Sequence, residues 1–87
     1  MSGPWPTVAG LKLPGYLEGK CQALLEDIQR ADTVATAVLA EQRAAGFTEA
    51  LELLKVMPPA ELERLYEFYE RALTGRIAEL GIDRQGY

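Results

Sequence analysis

The chain has 87 residues and a net charge of −4 at pH 7, with 48% hydrophobic and 25% charged residues, one cysteine and no histidine. This length allows one domain with a thin hydrophobic core, and the composition is typical of a folded globular protein. Because no segment is basic, resembles a secretion signal or is apolar enough to span a bilayer, direct nucleic-acid binding and membrane insertion are not expected, and the default location is cytoplasmic.

Residues 1–15 form a proline- and glycine-rich arm that the sequence predicts to be extended. Its prolines remove backbone donors and disfavour helical geometry in the residues before them. The arm is too apolar for a solvated linker, since it contains Trp5, Val8, Leu11 and Leu13. Three uses stay open for it: covering the chain's own helices, exchanging into a second copy, or docking on a foreign protein.

A long first helix is predicted from Tyr16 to Ala45, with Gly46 as its C-terminal cap. Its apolar residues recur at alternating spacings of four and three, which places them on one helix face, and Leu25 and Leu39 widen that face. The stripe consists of Leu17, Cys21, Leu24, Ile28, Ala31, Ala35 and Val38. Asp32-Thr33 is the alternative boundary, because either residue could cap a new helix and divide this one in two.

Two further helices are predicted after Gly46. Thr48 is a suitable N-cap for a short helix that would stop before Pro58-Pro59. The third helix starts at Pro59 and ends near Leu80, with Gly81 as its cap. Its apolar face consists of Leu62, Leu65, Tyr66, Tyr69, Ala72, Leu73, Ile77 and Leu80.

These elements predict an all-α fold, in which two long antiparallel helices are joined by a short one. The helices would form a single helical domain over residues 16–82, followed by a frayed tail at residues 83–87. Both long stripes are wide enough to bury more than one partner helix, so a homodimer is the expected assembly.

Residues for the common kinds of catalytic and metal site are missing. Without histidine there is no Ser-His or Cys-His pair and no histidine-bearing zinc site, and one cysteine cannot form a thiolate cage. Cys21 lies inside the apolar stripe and is interpreted as a small buried hydrophobe. The sequence therefore predicts no catalytic residue, metal or cofactor.

Two charged residues and one aromatic residue depart from the helix patterns. Asp32 and Arg76 fall beside apolar positions, and we weigh two accounts of them. Either Asp32 caps a helix break and Arg76 extends its aliphatic stem over apolar surface, or the two form a buried ion pair within the chain or across a dimer. Phe68 lies beyond the edge of its helix's apolar stripe, where it either widens the core or anchors a partner.

The leading functional hypothesis is a non-enzymatic protein–protein interaction module: an adaptor, regulator or accessory subunit. Its predicted partner-binding residues are Trp5, Leu11, Leu13 and Phe68. One alternative is a self-assembling structural subunit that uses its apolar faces on its own copies. The other is an acidic decoy that occupies a nucleic-acid-binding site on another protein.

Overall fold

The computed structural model describes residues 8–83, apart from the side chains of Ala9, Ile82 and Asp83. After a 3-10 turn at Val8–Gly10, it contains three helices: α1 (Gly15–Gln29), α2 (Val34–Leu54) and α3 (Pro59–Asp83). The predicted all-α class is confirmed. None of these helices is long and apolar enough to cross a membrane.

The predicted first helix is divided in two, at the alternative boundary. α1 ends at Gln29, and α2 begins after Thr33, whose backbone is extended. The Thr33 hydroxyl oxygen accepts the Thr36 N–H at 3.1 Å, and the Thr36 hydroxyl oxygen accepts the Thr33 N–H at 3.1 Å. This reciprocal capping satisfies two helix-end donors, which makes Thr33 the N-cap and leaves Asp32 outside the helix.

The predicted helix boundary at Gly46 and Thr48 is wrong, because α2 is continuous from Val34 to Leu54. Thr48 is buried and is not an N-cap: its hydroxyl donates to the Ala44 carbonyl oxygen one turn earlier, at 2.8 Å. The hydroxyl is therefore satisfied within the helix. Gly46 costs about 1 kcal/mol of helix propensity relative to alanine, which packing of the buried face of α2 outweighs.

The helices consequently have 15, 21 and 25 residues, rather than forming two long helices joined by a short one. α2 ends where Lys55 adopts a left-handed conformation with φ of 55°. α3 begins at Pro59, as the sequence predicts, because proline is favoured at the first helical position. It continues through Gly81, which is therefore not its cap.

The three helices pack on one another as an up-down-up bundle. α1 and α3 are parallel, because Cys21 lies at the level of Tyr69 and Ala31 at the level of Arg76. The short connections on either side of α2 make it antiparallel to both. The core contains Val8, Leu11, Leu17, Cys21, Leu24, Leu25, Ile28, Ala40, Ala44, Leu51, Met57, Leu62, Leu65 and Tyr69.

Residues 8–14 lie against the chain's own helices. Val8 and Leu11 are buried in the core, and Leu13 packs against it. The Val8 N–H donates to Oε1 of Gln22 in α1 at 3.0 Å, and the Lys12 N–H donates to Oε1 of Glu61 in α3 at 3.2 Å. This part of the arm therefore covers its own bundle, which is one of the three uses left open.

Tyr69 links α3 to α1 at the centre of the core. Its side chain is fully buried, and its hydroxyl donates to the carbonyl oxygen of Cys21 at 3.2 Å. Tyr66, one turn away from the centre, is only half-buried, and its hydroxyl lies 3.5 Å from Oε1 of Glu52.

We expect Tyr69→Phe to lower the free energy of unfolding by about 1 kcal/mol, because the phenyl ring keeps the packing but loses a buried hydrogen bond. The matched control, Tyr66→Phe, should have almost no effect, because it removes only a long and exposed contact. Urea denaturation of the three proteins measures both changes. Equal losses in the two variants would contradict this account of Tyr69.

Candidate functional site

The structure does not bring the three predicted partner-binding residues that it describes, Leu11, Leu13 and Phe68, together on one exposed surface. Trp5 lies outside the described residues. Leu11 is buried in the core, and Leu13 is half-buried against it. Phe68 is also half-buried, and it lines a groove between two helices. Leu11 is thus already packed within its own chain. Of the three described residues, Phe68 is the one that lines an open groove.

A separate apolar surface lies on the outer side of α2. Leu39 and Leu53 are 60% and 82% exposed. Each lies seven residues from Gly46, in opposite directions along the helix, and within about 20° of it around the helix axis. We call the surface formed by Leu39, Gly46 and Leu53 the leucine face of α2.

The opposite side of α2 faces the core with small side chains. Ala37, Ala40 and Ala44 are buried there, together with Thr48 and Leu51. Small residues allow helices to approach closely, so α2 is held tightly by its neighbours. Three of its leucines nevertheless remain exposed: Leu39, Leu53 and Leu54, the last at 71%.

Sequence reasoning missed the leucine face because it divided α2 at Gly46. That division placed Leu39 on the core stripe of a long helix and Leu53 on the apolar side of a short one. The signal is present once residues 34–54 are treated as one helix, since Leu39 and Leu53 are then almost four turns apart on one side.

The groove between α1 and α3 is the second candidate surface, and we call it the α1/α3 groove. It has a volume of about 320 Å³ and walls that are mostly apolar. Its lining residues are Leu25, Gln29, Phe68, Arg71, Ala72, Gly75, Arg76 and Glu79. Among residues 8–83, no atom lies within 4 Å of the position that a Cβ on Gly75 would take.

Arg76 holds the end of α1 instead of pairing with Asp32. Its Nε donates to the carbonyl oxygen of Ala31 at 2.7 Å, and its Nη1 lies 2.9 Å from Oε1 of Glu79. Asp32 is exposed, and the ion pair with Arg76, which was one of the two accounts weighed for these residues, is not formed within the chain. The physical reason is that carbonyls after the last helical turn lack intrahelical donors, and a cation near a helix C-terminus satisfies them.

Cys21 is a fully buried thiol, as the apolar stripe indicates. Burial raises its pKa, and a hydrogen bond with Tyr69 opposes part of that rise. Burial also raises the pKa of Tyr69. A buried thiol with a raised pKa is a poor nucleophile, because the reactive form is the thiolate. Among the described residues, no group of three or more acidic or cysteine side chains is placed to hold a metal ion.

Variants at positions 32 and 76 test the contact to Ala31. Arg76→Met should lower the free energy of unfolding by about 1–2 kcal/mol, because a carbonyl loses a charged donor. Asp32→Ala should change it by less than about 0.5 kcal/mol, as should the control Glu79→Gln, which removes a surface ion pair. Urea denaturation should show additive effects of Asp32→Ala and Arg76→Met. A double variant well short of the sum would show that the two residues are coupled.

The raised pKa of Cys21 makes stability fall at alkaline pH. The folded state favours the protonated thiol, whereas the unfolded thiol ionises near its usual pKa of about 8.5. The thiol's contribution is therefore complete below about pH 8.5 and is lost as pH rises further. Urea denaturation between pH 8 and 9.5 should show this decline in the wild type. Cys21→Ala should show a flatter profile, and identical slopes would rule out the thiol as the cause.

Comparison of this chain with protein-family models, with curated proteins and with solved structures finds no match. The leucine face of α2 and the α1/α3 groove are therefore the candidate surfaces for its function. They lie on different parts of the bundle, since one is formed by α2 and the other by α1 and α3.

Proposed function

We propose that this protein is a non-enzymatic protein–protein interaction module, an adaptor, regulator or accessory subunit. Its docking surface is the leucine face of α2. The partner is a protein, because large exposed aliphatic side chains are recognised by apolar side chains of another chain. The net charge of −4 favours neither nucleic acid nor an anionic membrane surface as the partner.

The observation that carries this proposal is that α2 is apolar on both sides. Its inner side is packed in the core, and its outer side exposes Leu39 and Leu53. Single exposed leucines are ordinary on protein surfaces. Two large exposed leucines on the outer side, where Gln42 and Glu49 also lie, are more apolar surface than an amphipathic surface helix usually presents to water. Burying a leucine side chain contributes about 1.5–3 kcal/mol, so covering both is a substantial driving force.

Self-assembly is the second candidate, and the spacing of the leucine face favours it. Because Leu39 and Leu53 are equidistant from Gly46, the face is self-complementary for an antiparallel pair of α2 helices. Two copies related by a two-fold axis would place Leu39 of each opposite Leu53 of the other. Gly46 at the centre has no side chain to hold the helices apart, which suits the predicted homodimer.

We expect Leu53→Gln to abolish association through α2, because it places a polar group at the centre of an apolar contact. Leu54→Gln is the matched control, since Leu54 is also largely exposed but lies about 100° away around the helix. Both positions are open to solvent, so both variants should keep the wild-type helix content. Analytical ultracentrifugation measures self-association, and crosslinking in source lysate followed by affinity capture measures foreign partners.

The two candidates give different results in these measurements. A concentration-dependent wild-type dimer that Leu53→Gln, but not Leu54→Gln, converts to monomer supports self-assembly. A monomeric wild type with a captured protein that only Leu53→Gln loses supports a foreign partner. If mass and captured proteins are the same in all three chains, the leucine face is not the docking surface.

A further inference from the structure

Two opposite charges flank the centre of the leucine face of α2. Arg43 and Glu49 stand three residues before and three residues after Gly46, so they lie about 4.5 Å from it along the helix axis in opposite directions. All three residues are exposed. Within residues 8–83, no ion pair involves Arg43 or Glu49. The face therefore presents one cation and one anion that this part of the chain does not pair.

From this arrangement we infer that the leucine face binds a second copy of the chain in antiparallel orientation, and that Arg43 of each copy pairs with Glu49 of the other. The inference rests on the proposed function, because it names the partner of the same surface. A two-fold axis beside Gly46 brings each position before the glycine to the level of the equivalent position after it. The operation that sets Leu39 opposite Leu53 therefore also sets Arg43 at the level of Glu49, twice in each dimer.

The two side chains are long enough to make this contact. Each lies about 60° from Gly46 around the helix axis, on opposite sides of it. In a pair of helices packed about 8–9 Å apart, the Cβ atoms of Arg43 and of Glu49 in the other copy are about 8 Å from each other. An extended arginine and a glutamate span that distance. Gly46 permits the close approach, because among residues 8–83 no atom lies within 4 Å of the position that a Cβ on it would take.

The order of the charges selects the antiparallel arrangement. In a parallel pair, Arg43 would face Arg43 and Glu49 would face Glu49, and such juxtaposition of like charges is unfavourable. The antiparallel pair has two attractive contacts instead. Neither residue has an opposite charge three or four positions away on α2, so pairing within the helix does not compete. A second copy thus complements this surface in both its leucines and its charges.

Exchange of the two charges tests the inference. Arg43→Glu and Glu49→Arg should each weaken the dimer about tenfold, because two attractive contacts become repulsive. An equimolar mixture of the two variants should form a heterodimer of wild-type strength, since every glutamate then faces an arginine. The double variant should likewise dimerise with itself. Sedimentation velocity over a concentration series at low salt measures all of these chains.

Control variants separate this contact from other effects of charge. Arg64→Glu and Glu63→Arg make the same changes of net charge at exposed positions of α3, off the leucine face, and should leave the dimer unchanged. Arg43 also borders a hollow with Asp27 and Asp32, so a glutamate at position 43 meets like charges within its own chain. Glu49→Arg and the double variant do not depend on that position alone. Circular dichroism checks that every chain keeps the wild-type helix content.

Restored dimerisation in the mixture and in the double variant, with unchanged controls, supports the inference. A dimer that Leu53→Gln dissociates but that the charge exchanges leave intact would overturn it and keep the leucine face as the docking surface. Equal weakening by the α3 controls would also overturn it, because net charge would then be the cause. A monomeric wild type that captures a foreign protein through Leu53 would overturn the second copy and keep the proposed function. If Leu53→Gln changes neither mass nor captured proteins, both fail.

Discussion

The turn at residues 30–33 is the constraint on which the rest of the structure depends. Without it, α1 and α2 would form one continuous helix, and α1 could not pack beside α3. Reciprocal hydrogen bonds between Thr33 and Thr36 start α2, and the guanidinium of Arg76 binds the Ala31 carbonyl from across the bundle. A local cap and a long-range contact therefore stabilise the same turn, and the long-range contact depends on α3 being in place.

The turn also decides which residues of α2 face outward. Once the helix starts at Val34 and continues to Leu54, Ala37, Ala40, Ala44 and Leu51 lie on its buried side, and Phe47 packs against the core. Leu39, Leu53 and Leu54 remain exposed on the rest of the helix.

The arm shows how one short segment completes a thin core. Val8 and Leu11 add apolar volume where α1 and α3 leave a seam, and backbone N–H groups of the arm are satisfied by Gln22 and Glu61. A domain of this size buries a smaller share of its surface than a larger domain does, so such additions matter more to it. The open remainder of the seam is the α1/α3 groove.

Local chemistry by itself determined the all-α class, the start of α3 at Pro59 and the burial of Cys21, Leu65 and Tyr69. Helical periodicity and proline geometry are sufficient for these three features, because both act within a few residues.

The continuation of α2 through Gly46 and Thr48 required the tertiary structure. Glycine within a helix costs only about 1 kcal/mol relative to alanine. Packing of Ala44, Thr48 and Leu51 in the core outweighs that cost. The placement of Arg76 on Ala31 instead of on Asp32 was likewise decided only by the fold, because spacing along a helix does not tell which carbonyl of another helix lies within reach. The spacing of apolar residues along the chain determined which of them share a helix face. Only the packing of the three helices decided which of those residues remain exposed.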